Sequence, residues 1–218
     1  MHYRIDGMLI ASELAAKPPS QASGCLLAFL KGYGQVERAL DYGCGKLRYA
    51  ASLAAMAESL TLVDSPRQLD RRQIIDGEET TVRQMAVQRW PTVQIEAVSE
   101  FQAKPTPKFD FALCANVLSA IPSKASRSRA LTAISRRLKV SGSLLVVNQH
   151  TNSYYSQVSR RKDVVKHLDG WLVPRNDTAS YYGILDNKST SEILQREGYE
   201  IVEHWIEGQS NYALARIR

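Results

Sequence analysis

Residues 39–45 join an apolar run to a glycine-rich turn, and they constrain the fold more than any other part of the chain. The run reads Ala39-Leu40-Asp41-Tyr42-Gly43-Cys44-Gly45, and Asp64 follows 19 positions after Gly45, at the end of a second apolar run at 60–63. A strand, a glycine turn, a helix and a second strand closed by an acid form the layout of a nucleoside-binding βαβ unit. Because glycine reaches dihedrals that other residues disfavour, a ligand can lie against this turn. The alternative is an ordinary tight strand-to-helix turn.

Four blocks of sequence resemble, in the same order, the class I S-adenosylmethionine-dependent methyltransferases. They are the glycine-rich motif at 41–45, the second motif at 62–66, the fourth strand with its following loop at 108–118, and the helix, turn and fifth strand at 130–147. Their order is more specific than any single block. The family often has a third glycine two positions after the second, where this chain has Leu47. The helix expected to start near Lys46 must therefore pack a larger side chain.

The resemblance implies S-adenosylmethionine as the cofactor and assigns it a set of residues. These are Asp41, Gly43, Cys44, Gly45, Asp64, Ser65, Val98, Ser99, Ala115, Asn116 and Val117. The glycines would admit the methionine and ribose parts, Asp41 would position the turn or the amino group, and Asp64 would hold the ribose hydroxyls. Val98 and Ser99 stand where the family holds the adenine, although no aspartate marks the place. Residues 115–117 would flank the methionine part or the methyl group, and the alternative for Asn116 is a loop residue that caps its own backbone.

Apolar periodicity predicts one α/β domain over residues 1–218. Expected helices cover 7–16, 22–33, 47–57, a stretch from 66, 80–89 and 191–197, expected strands cover 37–42, 60–63, 92–98, 109–114, 143–148, 199–206 and 211–217, and 104–107 is expected to be a loop. The order predicts a doubly wound, mostly parallel seven-stranded sheet with helices on both faces and a C-terminal antiparallel hairpin. The first two helices would form an N-terminal helical lid over residues 1–35.

Two histidines are candidate catalytic bases. Methyl transfer needs an aligned nucleophile and a dry site, and it needs a base only if the nucleophile carries a proton. His150 comes directly after the fifth strand, and His167 lies in the segment that follows. The alternative for each is a hydrogen-bonded structural histidine, which is the commoner case for a lone histidine.

The segment 149–188 is longer than most connections in compact domains, and such segments usually carry function. We therefore expect an inserted cap that selects the substrate. Its candidate substrate residues are Tyr154, Tyr155, Trp171, Tyr181 and Tyr182. Aromatic rings beside cations suit a flat, anionic or polar substrate, or stacked bases. The alternative is that these rings form the core of a small subdomain.

The net charge of +6 raises the question of an anionic partner. Basic residues cluster at 67–72, 127–139 and 160–166, and such clusters can follow a phosphate backbone. The alternative is a set of solvated helix faces and helix ends, where cations are favoured.

Neither an apolar run of about 20 residues nor a signal-peptide pattern is present, which predicts a cytoplasmic protein without a membrane partner. Three scattered cysteines predict reduced thiols and no metal site.

Three functions agree with these features. The first is a methyltransferase acting on a small molecule at O, N or C, and the second is an RNA or protein methyltransferase that uses the basic clusters. The third is a protein that binds S-adenosylmethionine without turnover. The sequence lacks the Asn/Asp-Pro-Pro-Tyr/Phe run of amino-directed DNA methyltransferases and the Pro-Cys pair used to attack cytosine. The small-molecule enzyme is therefore the primary prediction, and the sequence leaves the oligomeric state open.

Overall fold

The computed structural model describes residues 3–103, 108–150 and 153–218, so the loop expected at 104–107 lies outside the described residues. The described strands, numbered in chain order, are β1 (Tyr3–Ile5), β2 (Met8–Ile10), β3 (Val36–Tyr42), β4 (Ala57–Asp64), β5 (Gln73–Ile75), β6 (Glu78–Thr80), β7 (Gln94–Ala97), β8 (Phe109–Ala115), β9 (Leu138–Gln149), β10 (Val165–His167), β11 (Gly170–Arg175), β12 (Thr178–Gly183), β13 (Tyr199–Glu207) and β14 (Ser210–Ile217). The described α-helices are α1 (Gly24–Tyr33), α2 (Ala50–Met56), α3 (Pro66–Asp70), α4 (Val82–Arg89), α5 (Val98–Ala103), α6 (Lys124–Arg137), α7 (Ser153–Ser159) and α8 (Asn187–Arg196).

A seven-stranded sheet forms the centre of the molecule, in the order β13-β14-β9-β8-β3-β4-β7. The five strands from β7 to β9 run parallel, whereas β14 is antiparallel to both β9 and β13. This arrangement confirms the predicted sheet and its C-terminal hairpin. The chain order reverses between β3 and β8, and such switch points are where ligands bind at the carboxyl ends of parallel strands.

Helices cover both faces of the central sheet because its inner strands are apolar on both sides. Consecutive residues of one strand enter different clusters: Leu62 packs with α1 and α2 residues such as Leu26 and Leu53, whereas Val63 packs with Phe101 on the other face. A strand buried on both faces is typical of a parallel sheet between two helical layers. The helices on both faces are confirmed.

A second sheet of five strands, here called the cap sheet, joins residues 3–10 to residues 165–183 in the order β1-β2-β12-β11-β10. Strand β2 pairs in parallel with β12 through Leu9↔Thr178 and Ile10↔Ala179. The helix expected over 7–16 is therefore wrong, since this stretch contains β2 and a 3₁₀ turn at Ser12–Ala15. The cause is the Asp6-Gly7 turn, whose two positive φ angles of 49° and 80° suit a tight hairpin. The helix expected over 22–33 is present as α1.

A buried ion pair fixes the cap sheet to the central domain. The Arg127 side chain on α6 is 1% exposed and donates to both carboxylate oxygens of Asp169, with 2.8 Å between Nη2 and Oδ1. The Tyr181 hydroxyl on β12 donates to the same carboxylate, and Arg127 Nε donates to the carbonyl of Ile121 at 3.0 Å. Partial burial raises the pKa of Asp169, but hydrogen bonds from Arg127 and Tyr181 hold it below its usual value overall. The charges compensate each other at this junction, as a buried pair requires.

Candidate active site

A cavity of about 710 Å³ lies at the carboxyl ends of the central strands. Its walls come from the turns that follow β3, β4 and β8, from α5 after β7, from the end of β9 and from the β13–β14 turn. The cap sheet and residues 12–17 complete them. Its volume is in the range of small-molecule sites. The predicted cofactor residues that line it are Asp41, Gly43, Cys44, Gly45, Asp64, Ser65, Val98, Ala115, Asn116 and Val117. Ser99 is exposed and is not part of this lining.

The glycine turn is held at the end of β4 and leaves no room for a side chain at Gly43. The amides of Gly43 and Cys44 both donate to the carbonyl of Val63, at 2.7 and 3.1 Å. Gly43 has a φ of 85°, and an added Cβ would lie closer than 3.0 Å to Cγ2 of Val117. Both the dihedral and the contact therefore require glycine.

The helix after this turn begins later than expected, because α2 starts at Ala50 and not near Lys46. Leu47 has a φ of 64°, a left-handed value that interrupts a right-handed helix. Its side chain is 1% exposed and packs in the core under α1 and α2. Leucine thus takes the backbone conformation that glycine adopts easily, at a cost of about 1–2 kcal/mol, and burial of its side chain offsets that cost.

Asp64 is oriented by two backbone amides. Its Oδ2 accepts from the Gly45 amide at 2.8 Å, and its Oδ1 accepts from the Ser65 amide at 2.7 Å. Burial raises the pKa of Asp64 to about 6, although these two amides act in the opposite direction. Each carboxylate oxygen keeps acceptor capacity, so the side chain is held rigidly and can accept two further hydrogen bonds.

Asp41 lines the same cavity at the end of β3 and is 3% exposed. Burial, and secondly the charge of Asp64, raises the pKa of Asp41 to about 7. No hydrogen bond to its carboxylate is found among the residues that the structure describes. A cation in the cavity would stabilise the ionised form.

Replacing Asp41 with Asn is expected to raise the free energy of unfolding of the ligand-free protein by about 2 kcal/mol at about pH 8 and to change it little near about pH 4. The folded pKa of about 7 lies above the ordinary value of 3.8, so the stability that this group contributes is complete below that value and is lost as the pH rises through about 7. Chemical denaturation at both pH values measures the effect.

Asp110→Asn is the matched control for that measurement. Partial burial raises the pKa of Asp110, but hydrogen bonds from Lys139 and from the Arg38 amide hold it below 3.8 overall. Its contribution to stability is therefore present above its ordinary pKa and lost as the pH falls, so this variant should be destabilised at about pH 8. An Asp41→Asn variant that is destabilised at the higher pH would contradict a raised pKa of Asp41 in the folded protein.

Asn116 follows β8 with a φ of 60°, a conformation that asparagine tolerates better than most residues. Its amide donates to the carbonyl of Val147 at 2.7 Å, which fixes the turn. Its side-chain Oδ1 is buried and has no partner among the described residues. The oxygen does not cap its own backbone, and it is available to a ligand in the cavity.

Two glutamines belong to the cavity and were not predicted from the sequence. Gln68 on α3 is buried, and its Nε2 donates to the carbonyl of Gly45 at 2.6 Å. Gln102 lies four residues after Val98 on α5, and both line the cavity. The i,i+4 spacing on one helix face was the available signal for Gln102. No aspartate follows β7, where the family resemblance places the adenine. The side-chain amide of Gln102 instead lines the cavity one helical turn after Val98.

The two histidines do not reach the cavity lining. Nε2 of His150 lies 3.2 Å from the carbonyl oxygen of Gly208, and Nε2 of His167 lies 2.9 Å from that of Pro122. His167 also packs edge-on against Tyr181. Both rings contact backbone carbonyls, as structural histidines do. Their roles as bases stay predictions that the geometry does not favour.

The candidate substrate residues divide into two groups. Tyr181 and Tyr182 line the cavity, whereas Tyr155 and Trp171 pack against each other outside its lining, with 5.8 Å between ring centroids. The side chain of Tyr154 lies outside the described residues. Part of the aromatic set thus faces the cavity and part packs within the cap.

Six of the twelve basic residues in the three clusters that suggested an anionic partner form ion pairs with acidic residues. The ion pairs are Arg67–Glu13, Arg72–Glu79, Arg127–Asp169, Arg137–Glu96, Lys139–Glu37, Lys139–Asp110 and Arg161–Asp163. Arg137 is buried and lies 4.1 Å from the centre of the Phe101 ring. Paired and buried cations do not form a continuous electrostatic track for a phosphate backbone.

The described residues contain neither a cluster of three or more metal-ligating side chains nor a helix long and apolar enough to cross a membrane. The three cysteines are free thiols, and Cys44 lies in the cavity lining. Cys114 lies on β8 and is buried in the core on the face of the central sheet that packs with Phe101. Burial raises the pKa of both buried thiols.

Comparison with known proteins identifies the family. A family model described as a methyltransferase domain matches residues 12–204. A curated relative, the uncharacterized protein YmfD of Escherichia coli (strain K12), is 35% identical over 212 residues, which cover 97% of this chain and 94% of that protein.

Solved methyltransferase structures share the fold. An S-adenosylmethionine-dependent methyltransferase from Clostridium acetobutylicum ATCC 824 is 12% identical with a TM-score of 0.62, covering 88% of this chain and 89% of that one. The 1,6-didemethyltoxoflavin-N1-methyltransferase of Burkholderia thailandensis is 17% identical with a TM-score of 0.63, covering 89% and 77%. The chain therefore belongs to the methyltransferase-domain family and is a class I S-adenosylmethionine-dependent methyltransferase.

Proposed function

We propose that this enzyme methylates a small molecule that binds in the cavity under the cap sheet. The observation that carries the proposal is that one cavity of about 710 Å³ is lined both by the cap sheet and by the predicted cofactor residues that follow β3, β4 and β8. A cavity of this size suits a cofactor and a small acceptor. The Burkholderia relative was crystallised with 1,6-didemethyltoxoflavin and S-adenosylhomocysteine, which is consistent with a small acceptor in this fold.

The residues of the cavity fit S-adenosylmethionine. The Asp64 carboxylate, held by the amides of Gly45 and Ser65, can accept from both ribose hydroxyls. The absence of a Cβ at Gly43 lets Val117 pack against the glycine turn, and both residues line the cavity. The ionised Asp41 carboxylate can hold the cationic amino group, and Oδ1 of Asn116 offers a further acceptor.

When bound, S-adenosylmethionine supplies a methyl carbon that its positively charged sulfur makes electrophilic. The chain then has to align the acceptor atom and keep water away. The cap sheet covers the cavity, and the junction of Arg127, Asp169 and Tyr181 fixes the cap in position. Within the described chain no histidine lines the cavity, which favours an acceptor atom that is already nucleophilic.

The alternative of an RNA or protein acceptor is less consistent with the geometry. Ion pairs occupy many of the basic residues that would hold a polyanion, among them the buried Arg127 and Arg137. The small acceptor can be tested with donor that carries a labelled methyl group, mixed with a cell extract separated into small-molecule, RNA and protein fractions. Label is expected in the small-molecule fraction, and label confined to RNA or protein would contradict the proposal. A Gly43→Ala variant serves as the inactive control.

A further inference from the structure

One face of the cap sheet contributes Val173, Arg175, Ser180 and Tyr182 to the cavity lining. The register pairs Val173 with Ser180 and Arg175 with Thr178. Because side chains alternate along a strand, Arg175 and Ser180 lie on the same face as diagonal neighbours, about 7 Å apart. A long arginine side chain can reach a group held by the serine hydroxyl at that separation.

Both side chains lack partners within the part of the chain that the structure describes. Ser180 is 5% exposed, and its Oγ has no hydrogen-bond partner. No carboxylate lies within ion-pair distance of the Arg175 guanidinium, although Asp177 is only two residues away. A buried hydroxyl without a partner is costly, so a ligand that accepts its hydrogen bond would be stabilised.

The acidic residues that line the cavity are placed elsewhere. Asp41 and Asp64 lie at the carboxyl ends of β3 and β4. Glu13 forms an ion pair with Arg67, with 3.2 Å between Oε1 and Nε. Glu207 is exposed, and its interaction with the Cys25 thiol raises the pKa of that thiol. The other cations of the lining are Lys17, which is exposed, and Lys46 and Arg48, which donate to the carbonyls of Ile74 and Gln21. Among the described residues of the cap sheet, Arg175 is thus the one charged side chain of the lining.

We propose that Arg175 and Ser180 form a carboxylate-binding site on the cap and that the substrate is a small monocarboxylic acid. The inference rests on the proposed small-molecule function and names the substrate class. A planar guanidinium with a neighbouring hydroxyl matches the two oxygens of a carboxylate, and one arginine balances a monoanion better than a dianionic phosphate. Binding the acid group to the cap directs the rest of the molecule toward the donor.

The test measures binding by calorimetry at saturating S-adenosylhomocysteine, so it does not depend on turnover. The probes are two acids with their neutral isosteres, benzoate with benzamide and hexanoate with hexanamide. We expect the acids to bind at least about tenfold more tightly than the amides. The Arg175→Gln variant should remove this preference, Arg175→Lys should retain part of it, and Ser180→Ala should weaken acid binding.

Arg216→Gln provides a matched control, since Arg216 is an exposed arginine on β14 outside the cavity lining. It should keep the preference for acids. The affinity for S-adenosylhomocysteine and the thermal unfolding midpoint should stay unchanged in every variant, which shows that the fold is intact. The site is ruled out if amides bind as well as acids, if the preference survives in Arg175→Gln, or if neither acid binds. If the unmodified protein does not bind S-adenosylhomocysteine, that result would instead overturn the proposed function on which this inference rests.

Discussion

A Gly43→Ala variant is expected to lose more than about 100-fold in affinity for S-adenosylhomocysteine, and its free energy of unfolding is expected to fall by about 3 kcal/mol. Two independent effects add at this position. Alanine is strained at a φ of 85°, and its Cβ would overlap Cγ2 of Val117, whose β-branched side chain has little freedom to move away. The turn must therefore shift, and the surface that the ligand approaches shifts with it.

Gly77→Ala separates the two effects. Gly77 has a φ of 87° in the β5–β6 hairpin, but nothing lies within 4 Å of an added Cβ. This control should cost about 1 kcal/mol through backbone strain alone and leave ligand binding intact. Calorimetric titration and urea unfolding give both quantities. Equal losses in the two variants would show that the contact with Val117 does not matter.

Asp64→Ala is the second variant with a large expected effect, a loss of about 100-fold in affinity for S-adenosylhomocysteine. Hydrogen bonds to a charged group each contribute about 1.5–3 kcal/mol, and this carboxylate is placed to accept two from the ribose. The substitution also removes the acceptors of the Gly45 and Ser65 amides, so the glycine turn loses a support. Titration with S-adenosylhomocysteine, and with adenine alone as a ligand that lacks the ribose, tests the assignment.

The adenine titration distinguishes ribose recognition from general damage. Adenine should bind the variant nearly as well as it binds the unmodified protein, because no ribose contact is lost. Asp70→Asn is the matched control: this aspartate lies on α3 and pairs with Arg83 at 2.9 Å at the surface. It should leave both affinities unchanged, since exposed ion pairs contribute little. An equal loss of adenine binding in Asp64→Ala would assign Asp64 to the turn and not to the ribose.

The central sheet was predictable from the sequence, whereas the cap sheet was not. Buried parallel strands are continuous apolar runs, and the ordered motifs fixed which strands neighbour one another. The pairing of Leu9 with Thr178 is non-local, and no pattern near either residue indicates it. The Asp6-Gly7 hairpin turn was visible, but the short apolar run after it also fitted a helix.

The site was predictable where backbone geometry defines it and obscure where distant side chains meet. Gly43 and Asp64 follow from local spacing, because the turn requires them. Arg127 resembled a solvated helix cation until the fold brought it to Asp169, 42 residues away in the chain. Gln102 was not predicted, because the family resemblance assigns the adenine to Val98 and Ser99, the two residues directly after β7.

The parallel pairing of β2 with β12 has a consequence for the order of folding. The hairpin at residues 3–10 joins its sheet through two residue pairs, each 169 positions apart in the chain. Contacts at such separation form late, because the chain between them must first be ordered. During synthesis β2 therefore keeps an unpaired edge until most of the molecule exists, and such edges promote aggregation. We expect nascent chains that end before β12 to be the species of this enzyme most dependent on chaperones.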